Sequence, residues 1–177
     1  MKYIAYTIGI IIALALQAGL FGYFKIWNTV PNLLLLMVIT LSLEKEDYDF
    51  FIVSAIAGLF LDLYSGSFPG TFMFGFLFTA YLLHLTAQSV VVYETNWKYL
   101  AGFLLGAMLA SYLWAWGYSN FVFKLGWWPM YISGQDIRHI FLAQLLYNAV
   151  LAYPVFNATR RVKEWATKFF SRQQVIR

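Results

Sequence analysis

Charged residues along this chain are spaced so widely that the intervals between them dictate its class. Between Lys2 and Lys25 lie 22 consecutive uncharged residues, Tyr3 to Phe24. Further uncharged runs cover 18 residues between Lys25 and Glu44, 12 from Phe50 to Leu61, and 31 from Leu63 to Tyr93. Two more cover 25 residues from Tyr99 to Phe123 and 20 from Ile140 to Thr159. A helix needs about 20 apolar residues to cross a hydrocarbon core roughly 30 Å thick. The pattern predicts helices over 3–24, 30–43, 49–65, 70–93, 98–123 and 139–159. That is an all-α polytopic membrane protein, with about six transmembrane helices in one bundle. Residues 1–160 are expected to form the bundle and 161–177 a basic cytoplasmic amphipathic tail. The apolar run to Phe24 is longer than a usual signal-peptide core, so the first helix is expected to be retained.

Composition agrees. The chain is 62% apolar, 21% aromatic and 11% charged, with a mean hydropathy of +0.66. Soluble domains carry about a quarter charged residues. Only 12 basic and 8 acidic side chains are present, too few to cover a protein in water. That excludes a water-soluble enzyme and a disordered chain. The absence of cysteine excludes a disulfide scaffold. A net charge of +4 does not indicate nucleic acid, because the basic residues are thin except at the C-terminus. Six spans place Lys2, Lys45, Lys98 and the six basic residues from Arg160 onward on one side, nine in all. Lys25, Lys124 and Arg138 lie on the other, so both termini are expected in the cytoplasm. Trp27, Trp97, Trp127, Trp128 and Trp165 fall near segment ends, as interfacial rings do.

Candidate chemistry is sparse. The third segment reaches membrane length only if Asp62 lies on it, and a carboxylate there is costly in lipid. It has three open readings: an acceptor for the Ser65–Ser67 turn, a partner of Lys25, Lys124 or Arg138, or a contact for another protein or a proton. Gly66 suits a left-handed cap, and Gly70 a close helix start. Gly102, Gly106 and Ala110 recur every four residues, a spacing that lets membrane helices approach closely, and internal packing is the first expectation. Gln144 and Asn148 share a face expected to look into the bundle, with Pro154 beyond them. Arg160, Arg161, Lys163, Trp165 and Lys168 belong to a basic amphipathic pattern suited to anionic membrane lipids. Glu44–Asp49 is an acidic turn, and Gly126–Tyr131 an apolar, aromatic outer loop. His84 and His139 are the only histidines, and no nucleophile motif or phosphate loop occurs. No enzyme, cofactor or metal site is expected.

The middle of the chain goes further. Val30-Pro31-Asn32 opens an apolar helix. Some thirty residues later comes Gly58-Leu59-Phe60-Leu61-Asp62-Leu63-Tyr64-Ser65-Gly66-Ser67, then Gly70 and Ala80-Tyr81-Leu82. This resembles the rod shape-determining protein MreD family, as do Asn148, Pro154 and the basic Arg160–Lys163 end. Phe68-Pro69 departs from the aliphatic residue usual before the glycine. The resemblance implies a non-enzymatic inner-membrane subunit of the bacterial cell-elongation machinery. It also implies that the subunit binds MreC, a single-span protein, and through it links MreB filaments to peptidoglycan synthesis by RodA and its penicillin-binding transpeptidase. The bundle would be similar to the substrate-binding membrane subunits of energy-coupling-factor vitamin transporters, which supply the alternative function.

Overall fold

In the computed structural model, residues 2–25, 29–43, 48–89, 97–129 and 134–174 are described. Side-chain surroundings are described for 3–25, 29–43, 48–87, 101–129 and 138–165. Trp27, the acidic stretch Glu44–Asp47, loop residues Met130 and Tyr131, and the side chains of Lys168 and Arg172 lie outside these ranges.

The described residues form seven helices and no strand element: α1 Lys2–Ala18, α2 Leu20–Tyr23, α3 Leu33–Ser42, α4 Asp49–Ser65, α5 Thr71–Ser89, α6 Trp97–Lys124 and α7 Gly134–Gln174. Each corresponds to an uncharged stretch, with α1 and α2 sharing the first on either side of Gly19. α7 differs from the expected 139–159 by running unbroken past Thr159 into the basic segment.

α3 sits at the centre. It packs against α1, α4, α5, α6 and α7, while those five close a ring around it in the order α1, α4, α5, α6, α7 and back to α1. All ten residues of α3 are buried, as expected of a helix apolar on every side. Its two hydroxyls are satisfied within the helix, Thr40 donating to the Leu36 carbonyl and Ser42 to that of Val38. Around it pack Tyr6 and Ile10 of α1, Phe50 and Val53 of α4, Phe76 of α5 and Met108 of α6.

The outer faces of the ring are apolar as well. Ile4, Ile8 and Ile12 on α1, Phe74 and Phe78 on α5, Leu109 and Leu113 on α6, and Leu146 and Val150 on α7 are all exposed. A chain that is apolar both inside and outside is built for lipid. Tyr3–Tyr23 and Arg138–Trp165 are each long and apolar enough to cross a membrane.

The expected 30–43 span needs correction. Only Leu33–Ser42 is helical, about 15 Å long and half a bilayer core. Thr29, Pro31 and Asn32 precede it as buried non-helical chain. Irregular backbone at such depth is tolerated only where protein surrounds it. Three side chains supply that shelter. Asn32 accepts from the Leu35 amide at 3.0 Å, Gln17 of α1 from the Leu33 amide at 3.1 Å, and Asn148 of α7 from the Asn32 amide at 2.9 Å. The first-turn amides of a buried helix would otherwise be orphaned.

Candidate functional site

Two residues one turn apart on α4 build the α4–α5 corner. Gly58 and Asp62 are buried on the same face of α4 and both meet the start of α5. A Cβ at Gly58 would lie 2.4 Å from the Met73 Cα and 2.6 Å from the Phe72 carbonyl oxygen. No side chain fits there, so glycine sets how near the two backbones come. One turn on, the Asp62 carboxylate accepts three backbone amides of α5's first turn and its approach. Oδ2 takes Gly70 at 2.9 Å and Met73 at 3.2 Å, and Oδ1 takes Phe72 at 2.8 Å. The negative charge faces the positive end of the α5 dipole, which offsets its placement near the C-terminal end of α4.

This corrects the expected donors. Asp62 reaches past the Ser65–Ser67 turn to residues eight, ten and eleven positions on, and its partners are amides, not Lys25, Lys124 or Arg138. Ser65 and Ser67 bond to each other through their hydroxyls at 2.8 Å, and Ser65 reaches only the backbone carbonyl of Asp62, at 3.5 Å. Gly66 ends α4 with φ 64°, and Gly70 turns the chain back with φ 95°. Both angles lie where a side chain is strained.

An aromatic lid closes over the corner. Phe68 packs on Tyr118, Trp127 and Trp128, with centroids 6.1, 6.5 and 5.9 Å away. The Tyr118 hydroxyl donates to the Pro69 carbonyl at 3.3 Å. Phe68, the departure from the resembled pattern, thus ties the turn to the chain following α6. Composition alone did not reveal this, because the rings come from three separate stretches.

A second set of expected residues meets at the start of α3. Asn148 is fully buried. Besides accepting from Asn32, it donates to the Met108 sulfur at 3.7 Å, joining α3, α6 and α7. One turn away, Gln144 accepts from the Tyr112 hydroxyl. Gln17 was not singled out by sequence reasoning, although a lone amide within an apolar run is a usable signal.

Other expected packing residues lie elsewhere. Gly102 and Gly106 are exposed, Ala110 is half-buried, and a Cβ at either glycine would meet none of the described residues within 4 Å. The reason is rotational. At about 100° per residue, the buried Leu104, Ala107, Met108 and Ser111 occupy the opposite side of α6 from the two glycines. Gly117 shares the open side. Pro154 is exposed within α7 rather than packed. Arg160, Arg161 and Trp165 are exposed, and Lys163 is half-buried. His84, buried, packs at a tilt on Phe50 with centroids 4.5 Å apart.

A family model described as rod shape-determining protein MreD matches residues 1–157 of the 177-residue chain. The chain belongs to the MreD family. It therefore takes part in determining rod shape, as a membrane protein of a system that includes MreC and MreB. MreD is a structural, shape-determining family, and at the corner three backbone amides engage the Asp62 carboxylate. Comparisons with curated proteins and with solved structures return no match.

Proposed function

We propose that this chain is a scaffold that crosses the inner membrane six times, the second time through α3 and the buried non-helical chain leading into it, and that it holds a single-span partner of the MreC type. Through that partner it connects MreB filaments to peptidoglycan synthesis by RodA and its transpeptidase. Both termini lie in the cytoplasm, residues 1–160 forming the bundle and the rest a basic tail. Family membership carries the reading, and the open glycine side of α6 supports it. Glycine within a helix costs about 0.5–1 kcal/mol relative to alanine. Inside the molecule Gly58 returns that cost as a close backbone approach, whereas Gly102, Gly106 and Gly117 make no such approach among the described residues. Small outward residues are what a second transmembrane helix needs for close packing. Depletion of the chain from its bacterium is expected to turn rods into spheres while the membrane stays intact. Rods that persist after full depletion would overturn the reading.

A vitamin-carrier function draws on α3, because transporters place substrates at the ends of half-length helices. Here Gln17, Asn32 and Asn148 already occupy those amides, which favours the scaffold. A small molecule retained by the purified protein in native mass spectrometry would reverse that ranking.

A further inference from the structure

Net positive charge is concentrated at one end of the chain to a degree the total conceals. From Arg160 onward there are six basic residues and one acid, Glu164, a local charge of +5. The whole chain is +4, so everything before Arg160 sums to −1. The change comes abruptly, after the 20 uncharged residues Ile140 to Thr159.

The fold sets the level of this charge. α7 packs along α3, with Leu151, Ala152 and Val155 turned to the core cluster, and its Tyr147 meets Phe21 edge-on at 6.4 Å. Arg160 to Lys163 lie 13–16 residues beyond Tyr147, about 20–24 Å along the helix. Tyr3 to Tyr6 lie 15–18 residues before Phe21, about 22–27 Å. The basic cluster therefore sits beside the first turn of α1, where the apolar ring ends.

Arg160 and Arg161 are both exposed at that rim. Among the described residues neither has an acidic partner. The Arg160 guanidinium lies 5.7 Å from the Phe156 ring centre, folded back toward the apolar part of α7. Trp165, 61% exposed, adds an interfacial ring one turn on. A guanidinium presents a planar fork that matches phosphate oxygens in pairs, and two consecutive residues of α7 each carry one here.

We infer that Arg160 and Arg161 form a binding site for the phosphate of an anionic phospholipid, with Lys163 and Trp165 flanking it. The occupant is a lipid with net negative charge, of the phosphatidylglycerol type, rather than a zwitterionic one. The inference stands apart from the proposed partner, since it uses neither α6 nor the direction of insertion.

The full chain, reconstituted in nanodiscs of phosphatidylcholine with a minority of phosphatidylglycerol, is extracted and its retained lipid counted by native mass spectrometry. Selective retention of phosphatidylglycerol is expected. The R160Q/R161Q variant is expected to lose about tenfold of that selectivity, with an unchanged unfolding midpoint in detergent. An R160L/R161L variant, also lacking both charges, guards against an effect peculiar to glutamine. Equal retention by wild type and both variants would overturn the site. So would a shift of the unfolding midpoint by inorganic phosphate equal to that by the lipid, which would make it a site for any anion. Loss of a co-purifying protein with lipid retention unchanged would assign the patch to a protein and overturn the lipid.

Discussion

Replacing Asp62 with leucine is expected to leave the protein unable to hold its α4–α5 corner, with little folded material recovered from membranes. Three amides lose their acceptor at once: Gly70, Phe72 and Met73. Hydrogen bonds to a charged group contribute about 1.5–3 kcal/mol each, and buried donors left unpaired cost on that scale. The sum is not additive, but a loss above about 4 kcal/mol belongs to the rare, diagnostic class of substitutions. Asn at position 62 separates the charge from the geometry. Its carbonyl oxygen can take the place of Oδ2 and keep Gly70 and Met73, while its amino group then faces the Phe72 amide, donor against donor. Asp62→Asn is expected to insert and fold, with stability reduced by about 1–3 kcal/mol and weaker support of cell shape. Unfolding midpoints of the two variants in detergent check this. A leucine variant as stable as wild type would show that the corner does not depend on the carboxylate.

Gly58 carries the second large effect. A single methyl there would be 2.4–2.7 Å from three backbone atoms of Phe72 and Met73, atoms that cannot rotate away as a side-chain tip can. α5 must move as a body. Gly58→Ala is expected to cost about 1–3 kcal/mol, the range for overpacked interiors, and Gly58→Leu more. Moving α5 also draws its amides off Asp62. Combined with Asp62→Asn, Gly58→Ala is therefore expected to cost less than the sum of the two single changes, a coupling of about 0.5–3 kcal/mol. Strict additivity in a double-mutant cycle would mean that the two residues act independently, against the seam described here.

The run lengths between charges made the helices legible, because lipid imposes a length that charge interrupts. Asp62 was legible for the same reason, as a carboxylate where a span needs apolar length. Its partners were not. They lie beyond a turn in which Gly66 ends one helix and Gly70 aims the next, and spacing alone favours the nearer serine hydroxyls. The reach of α3 was misread because Pro31 and Asn32 look like the edge of a span. Only Gln17 and Asn148, far away in sequence, reveal that its first turn is buried. The open side of α6 was illegible for a deeper reason. In water, hydrophobic periodicity separates inside from outside, whereas in lipid both faces are apolar. Leu109 and Leu113 face outward and Leu104 and Met108 inward, with nothing in the residue types to tell them apart. The glycines show that α6 can be approached closely, and only the fold shows from which side.

That side gives the most direct test of the scaffold. The chain is co-expressed with the MreC-type protein of the same bacterium, extracted in mild detergent and captured, and the partner retained is measured. Wild type is expected to hold the partner. G102L/G106L, which adds side chains at positions where a Cβ would meet none of the described residues within 4 Å, is expected to fold normally and lose most of it. Failure of the wild-type chain to retain the partner would contradict the proposed function. Full retention by a well-folded G102L/G106L variant would move the interface off α6.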